Sequence, residues 1–153
     1  MKKIAIGNDH AAVEMKFKIA EYLKEMGYEV INVGTDSEDS FDYPKAALNV
    51  CKLIREKKAE LGILICGTGV GISIAANKVD GIRAACVSEA LSSKLSREHN
   101  NANVICFGAR VVGLEVAKDI VKKFLETEFL GGRHERRVNQ IIELENKGSI
   151  DGI

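Results

Sequence analysis

The 153-residue sequence has no surplus of charge of either sign, and this lack narrows the partners that we expect. Lysine plus arginine and aspartate plus glutamate number 22 each, so the formal net charge at pH 7 is zero. The composition therefore gives no sign of the basic surface that usually binds nucleic acid. No stretch approaches the roughly 20 apolar residues of a membrane-spanning helix. We expect a protein that binds neither nucleic acid nor membrane.

The sequence also lacks closely paired cysteines and signals for export. The four cysteines show no CxxC pair or other metal-ligand spacing, which is typical of a chain kept in a reducing compartment. The first ten residues lack the apolar core and cleavage site of a signal peptide, so we expect a cytoplasmic location. With one proline, no tryptophan and no low-complexity tract, the chain is predicted to form one domain, residues 1–153.

Segments with strand and helix periodicity alternate along the chain. The predicted strands are 4–7, 28–34, 61–66, 82–87 and 103–108, and the predicted helices are 11–26, 44–58, 70–78, 90–97, 114–128 and 135–146. This alternation predicts an α/β fold with a parallel five-stranded sheet. Gly131 and Gly132 separate an α/β core, residues 1–130, from a C-terminal helix and tail, residues 131–153. We expect this last helix to pack on a partner subunit.

The glycine-rich loop Cys-Gly-Thr-Gly-Val-Gly, residues 66–71, follows the third predicted strand and precedes a helix. Backbone N–H groups converge on an anion at such a place, and the helix dipole favours negative charge. We therefore interpret the loop as an anion-binding site in which Cys66 ionises more easily than a free cysteine. Alternatively, the glycines only allow tight packing and Cys66 is a buried apolar residue. A G-x-G-x-G order on the third strand argues against dinucleotide binding. We expect the other three cysteines to belong to the core.

Polar residues follow two further predicted strands. Asp9 and His10 follow the first strand and Arg110 follows the fifth, and ligands bind outside the carboxyl ends of strands in such sheets. Taken alone, Asp9 could simply cap the next helix. His99 and Asn100 instead precede the fifth strand, at the opposite rim. If they act at a site, that site belongs mostly to a second subunit; otherwise they only end a helix.

A basic cluster at residues 133–137 completes the set of candidate groups. Arg133 and Arg137 are four residues apart, so on a helix they share a face and could hold one phosphate, or they could simply face solvent. Together, the candidate groups suit proton abstraction beside a carbonyl through an enediolate. They are a phosphate clamp, backbone amides, a thiolate and groups for proton transfer. The sequence offers neither a metal cage nor a cofactor loop, so no metal or cofactor is expected.

Five motifs resemble, in order and spacing, the type B ribose-5-phosphate isomerases, whose wider family includes galactose-6-phosphate and allose-6-phosphate isomerases. The motifs are Gly7-Asn8-Asp9-His10-Ala11, Asp42-Tyr43-Pro44, the 66–71 loop, Ser96-Arg97-Glu98-His99-Asn100-Asn101-Ala102-Asn103 and Gly108-Ala109-Arg110. The resemblance covers nearly the whole chain. It implies a Rossmann-like sheet with helices on both faces, and a homodimer, sometimes paired into a tetramer, with shared sites. It also implies that neither metal nor cofactor is needed.

The resemblance also implies residue roles in the interconversion of D-ribose 5-phosphate and D-ribulose 5-phosphate. Cys66 is the implied base that moves a proton between C2 and C1. His99, with Thr68 nearby, opens the furanose ring, and Asp9 contacts the ring or C1 hydroxyls. The implied substrate-binding groups are the amides of Gly67, Gly69, Val70 and Gly71 for the enediolate, Tyr43 and Asn100 along the pocket, and His10, Arg133, Arg137 and, more weakly, Arg110 for phosphate. Some relatives use a glutamate several residues further on, but residues 72–77 contain no carboxylate.

Two other readings of the same residues remain open. The site would also suit a six-carbon sugar phosphate or a free rare aldose such as allose, and the length of the pocket decides between these substrates. A rival of another class is a non-catalytic phosphate- or nucleotide-binding module, which would have no need of Cys66.

Overall fold

The computed structural model describes residues 2–153, and within this range five strands form one parallel sheet. They are β1 (Lys3–Asn8), β2 (Glu29–Asn32), β3 (Leu61–Cys66), β4 (Ala84–Cys86) and β5 (Val104–Gly108). The strand order is β2-β1-β3-β5-β4. The chain changes direction across the sheet between β2 and β3. A crevice therefore opens at the carboxyl ends of β1 and β3, where ligands bind in folds of this type.

Helices cover both faces of the sheet, which confirms the predicted Rossmann-like architecture. They are α1 (Val13–Glu25), α2 (Tyr43–Arg55), α3 (Val70–Asn77), α4 (Ala90–Asn100), α5 (Leu114–Glu126) and α6 (Arg133–Lys147). Successive side chains of a strand point to opposite faces. Ile4, Ile63 and Phe107 accordingly pack against α1 and α5, whereas Leu64 and Cys106 pack against α2 and α3.

Several element boundaries differ from those predicted. A 3-10 turn, His10–Ala12, precedes α1, and the Asp9 side chain caps it. Helix α4 extends to Asn100 and ends because Asn101 adopts a left-handed conformation with φ +46°. His99 and Asn100 therefore lie inside the helix, on its last turn. Strand β4 has only three residues, and α2 ends at Arg55.

The C-terminal helix α6 lies against α4 of its own chain. The backbone N–H of Leu130 donates to the Glu98 carbonyl at 3.1 Å, and the Glu145 carboxylate accepts from the Gly81 N–H at 3.1 Å. Val138 is buried, but Ile141 and Leu144 remain 45% and 46% exposed. Packing of α6 on a partner subunit stays a prediction. No helix in the described part of the chain is long and apolar enough to cross a membrane.

Candidate active site

Cys66 is the last residue of β3 and lies opposite Gly108 of β5 in the parallel register. Its side chain is only 5% exposed, and its Sγ accepts a hydrogen bond from the Gly69 N–H at 3.1 Å. The sulfur therefore faces the glycine loop. A backbone donor thus lies directly against the sulfur, at the start of α3.

The loop takes this shape because residue 69 is glycine. Gly69 precedes α3 with φ +82°, a left-handed conformation that L side chains rarely adopt. A Cβ at this position would lie 2.7, 2.8 and 3.1 Å from backbone atoms of Phe107, a buried residue of β5. Glycine thus allows the loop to approach the neighbouring strand and direct its amide at Cys66.

The predicted amide donors of the loop divide into two groups. The Gly69 N–H is engaged by Cys66 Sγ, and the Val70 N–H donates to Thr68 Oγ1 at 3.2 Å. The Gly67 and Gly71 N–H groups form the second group, with no acceptor among the described residues. Gly71 is the second residue of α3, where an N–H has no carbonyl partner within its own helix.

Tyr43 and Arg110 border the same loop. Tyr43 is the first residue of α2, and its ring lies so close to Gly71 that a Cβ there would approach ring atoms to 2.8 Å. The Arg110 N–H donates to the Gly67 carbonyl at 3.0 Å. A Cβ on Gly67 would come within 3.3 Å of Arg110 Nη1, so the guanidinium lies beside the loop. Its positive charge favours an anion there.

Asp9 and His10 lie at the same rim because β1 pairs with β3. The Asp9 N–H donates to the Ile65 carbonyl at 3.2 Å, and Asp9 Oδ1 accepts from the Ala11 N–H at 3.0 Å. Asp9 is therefore a helix cap as well as a candidate site residue. His10 Nδ1 accepts from the Phe41 N–H at 3.0 Å. The Phe41 carbonyl oxygen lies 3.3 Å from the same Nδ1, so the ring meets a backbone partner on Phe41 in either tautomer.

The other three thiols have pKa values that keep them protonated at neutral pH. Burial raises the pKa of Cys51 to about 11 and that of Cys106 well above its ordinary value. Burial also raises the pKa of Cys86, despite its partly exposed position on the edge strand β4. The expectation that Cys86 is a core residue is wrong, because β4 has a neighbour on one side only.

His99 and Asn100 form a second group of candidate residues with Arg133 and Arg137 of α6, around a hollow of about 310 Å³. The ring of His99 stacks on that of His134, with centroids 4.2 Å apart and planes 9° from parallel. Burial, followed by the charges of His99 and the two arginines, lowers the pKa of His134. Cationic groups thus crowd one end of α6.

The predicted residues therefore form two half-sites at opposite rims of the sheet. The loop half-site comprises Asp9, His10, Tyr43, residues 66–71 and Arg110, and the helix half-site comprises His99, Asn100, Arg133 and Arg137. Cys66 is level with the carboxyl end of β5, whereas α4 leads into its amino end. The two ends of β5, Val104 and Gly108, are four residues apart, which corresponds to about 13 Å at the usual rise of a strand.

Two residues near these half-sites were not identified from the sequence. His134 contacts His99 only because α4 and α6 pack together, and no local pattern signals such a contact. Lys16 is fully buried on the inner face of α1. The sequence did contain a sign that Lys16 is buried, because Lys16 shares the helical spacing of the apolar residues Val13, Ala20 and Leu23.

Comparisons with known proteins agree with the fold and the motifs. A family model described as Ribose/Galactose Isomerase matches residues 4–141. The chain is 52% identical over 147 residues to ribose-5-phosphate isomerase B of Escherichia coli (strain K12), covering 96% of this chain and 99% of that protein. The structure of Clostridium thermocellum ribose-5-phosphate isomerase B aligns with a TM-score of 0.94 at 52% identity, covering 96% and 99% of the two chains. That of the Mycoplasma genitalium enzyme with bound ribulose-5-phosphate aligns with a TM-score of 0.90 at 41% identity, covering 95% and 97%.

Proposed function

Because this chain belongs to the ribose/galactose isomerase family, we propose that it interconverts D-ribose 5-phosphate and D-ribulose 5-phosphate. Its relatives are sugar-phosphate isomerases, so the protein is an aldose–ketose isomerase of phosphorylated sugars. The observation that carries the proposed chemistry is the hydrogen bond from the Gly69 N–H to Cys66 Sγ at the start of α3. It supports a thiolate that is held ready to accept a proton.

In the proposed reaction, the Cys66 thiolate removes the proton from C2 of the open-chain aldose. The electron pair of that C–H bond forms the C1–C2 double bond, and the carbonyl electrons move to O1, which gives an enediolate. The thiol then returns the proton to C1, and a proton moves from O2 to O1, which leaves the ketose carbonyl at C2. The amides of Gly67 and Gly71 and the α3 dipole would hold the negative oxygen; one such donor contributes roughly 10²–10³-fold to kcat.

The position of His99 supports a site shared between two copies of the chain. A base must lie within hydrogen-bond reach of its proton, so His99 and Cys66 of one copy, at opposite rims, do not fit the same sugar. A twofold axis that places the helix half-site of one copy against the loop half-site of the other makes two complete sites. His10 of one copy and Arg133 and Arg137 of the other would then hold the phosphate.

Cys66→Ala tests the assigned base, with Cys51→Ala, at a buried thiol of α2, as the matched control. We expect Cys66→Ala to lower kcat by about 10²–10⁴-fold with a nearly unchanged KM, and Cys51→Ala to leave both unchanged. NMR in D₂O, with EDTA-treated enzyme, follows deuterium entry at the sugar carbon. A Cys66→Ala protein with normal kcat contradicts the mechanism. Sugar-phosphate binding without any exchange in the unsubstituted protein supports the non-catalytic module instead.

Subunit exchange between Cys66→Ala and His99→Asn proteins tests the shared site. Each mixed dimer has one site with both substitutions and one with neither, so an equal mixture recovers about a quarter of the original activity. No recovery after exchange has been verified by mass spectrometry contradicts a shared site.

Substrate choice is tested by kcat/KM over a panel of pentose and hexose phosphates. We expect ribose 5-phosphate to give the highest value. A higher value for allose 6-phosphate or galactose 6-phosphate supports the six-carbon alternative, which uses the same residues.

A further inference from the structure

Lys16 of α1 is the only fully buried lysine or arginine among the described residues, and the proposed mechanism does not use it. Its Nζ donates to the Thr35 carbonyl at 2.9 Å and to Asn32 Oδ1 at 3.3 Å, and it pairs with the Asp36 carboxylate. Burying an ammonium is costly unless its hydrogen bonds are satisfied, and here three oxygens accept from it. Two of these three acceptors belong to the segment 33–42, which connects β2 to α2.

Asn8 extends this network to the loop half-site. Its fully buried side chain donates from Nδ2 to the Thr35 carbonyl at 3.0 Å and to the Asp9 carbonyl at 2.9 Å. The Thr35 carbonyl therefore accepts from both Lys16 and Asn8. Segment 33–42 approaches Asn8 so closely that a Cβ on Gly34 would overlap Asn8 Oδ1.

The far end of the segment holds His10. The Phe41 N–H donates to His10 Nδ1 at 3.0 Å, and the Phe41 side chain packs against the apolar cluster under α2. Thus the segment is fixed near Thr35 by Lys16 and contacts the imidazole near Phe41. The Phe41 carbonyl oxygen lies 3.3 Å from Nδ1 as well, so the backbone of Phe41 holds the ring in place in either tautomer, and the conformation of the segment determines the orientation of His10.

We propose that Lys16 is a positioning residue, whose buried ammonium fixes segment 33–42 and thereby the orientation of His10. This orientation directs Nε2 of His10 to the phosphate of the sugar, a step that rests on the proposed function. Lys16 itself touches no substrate. Removing its ammonium releases Thr35 and Asp36, loosens Phe41 and leaves Nδ1 of His10 without a fixed backbone partner.

Lys16→Met tests this role because methionine retains much of the apolar stem and removes the charge. Lys18→Met is the matched control, since Lys18 lies two residues further along α1 in an exposed pair with Glu14. Imidazole ¹⁵N spectra of the free protein report the tautomer of His10, and the chain has only three histidines to assign. Steady-state kinetics with ribose 5-phosphate report KM and kcat. Asp36→Asn, a change at an exposed carboxylate, is the second variant if Lys16→Met does not fold.

We expect Lys16→Met to change the ¹⁵N spectrum of the His10 ring, because the ring loses its fixed partner on Phe41, and to raise KM about tenfold, with a much smaller change in kcat. Asp36→Asn should change the His10 spectrum and KM in the same direction but by less, and Lys18→Met should change neither the spectrum nor KM. An unchanged His10 spectrum in both Lys16→Met and Asp36→Asn overturns the proposal. A shifted spectrum with an unchanged KM supports the positioning role and refutes the assignment of His10 to phosphate. The spectrum thus separates this proposal from the proposed function.

Discussion

Gly69 and Gly81 offer a matched pair for testing how the loop half-site is built. Both adopt left-handed conformations, with φ +82° and +85°. A Cβ on Gly81 would meet nothing within 4 Å, whereas a Cβ on Gly69 would lie 2.7–3.1 Å from the Phe107 backbone. Left-handed strain alone costs about 1–2 kcal/mol for alanine, partly offset by the lower entropy of the unfolded chain. We therefore expect Gly81→Ala to lower the free energy of unfolding by about 1 kcal/mol.

Gly69→Ala adds a steric term to the same strain. Phe107 belongs to a central, fully buried strand and has little room to move, so the loop must shift instead. Overpacking of this kind costs about 1–3 kcal/mol, which makes a total loss of about 2–5 kcal/mol. The shift also weakens the Gly69 N–H bond to Cys66 Sγ. A hydrogen bond to a charged group contributes about 1.5–3 kcal/mol, so we expect kcat to fall about 10- to 100-fold.

Urea unfolding at one fixed protein concentration measures the stability of both variants, and kcat is measured where both are folded. Equal stability losses at Gly69 and Gly81 would refute the steric argument. A normal kcat in folded Gly69→Ala would show that the amide does not activate Cys66.

Three further predictions concern charge. Arg137→Ala should raise the KM for ribose 5-phosphate about tenfold with little change in kcat, because a charged hydrogen bond to phosphate is lost; unchanged steady-state kinetics remove Arg137 from the clamp. In an NMR titration His134 should have a pKa below its ordinary 6.5, and His99→Asn should raise it. Since protonation of His134 disfavours the folded state, stability should decrease as the pH falls below 6.5. In the folded protein the pKa of Cys51 is raised from 9.0 to about 11. The buried, protonated thiol therefore contributes to the free energy of unfolding below pH 9, and this contribution is lost as the pH rises to about 11. Between about pH 8 and pH 11, the free energy of unfolding measured with urea should fall by about 2 kcal/mol less for Cys51→Ala than for the unsubstituted chain.

Local sequence patterns were sufficient to predict the sheet and the glycine loop. The run Leu61–Cys66 is buried on both faces, as an uninterrupted apolar strand of a parallel sheet should be. The three glycines at 67, 69 and 71 predicted an anion-binding loop, with tight packing as the alternative. Their absent side chains face Arg110, Phe107 and Tyr43, so the packing is tight, and anion binding stays a prediction. Both features depend on residues adjacent in the chain, which is why periodicity and composition revealed them.

Local sequence patterns could not predict contacts between segments that are distant in the chain. The stacking of His99 on His134 depends on the packing of α4 against α6, and the pairing of Lys16 with Asp36 depends on the path of segment 33–42. Lys16 was overlooked because a lysine is assumed to face solvent, although its helical spacing places it on the buried stripe. Cys86 was assigned to the core because it lies in the predicted strand 82–87, whereas β4 has only three residues and lies at the edge of the sheet.

The division of the candidate groups between two rims gives the assembly proposal its physical basis. The loop half-site supplies a sulfur beside amide donors but depends on Arg110 alone for a permanent positive charge. The helix half-site concentrates cationic groups on α6, where they lower the pKa of His134 and gain no carboxylate partner among the residues around the hollow. Like charges held together are unfavourable until an anion binds between them. A phosphate placed there by a sugar bound at another copy's Cys66 relieves this repulsion, so substrate binding and association of the two half-sites should stabilise each other.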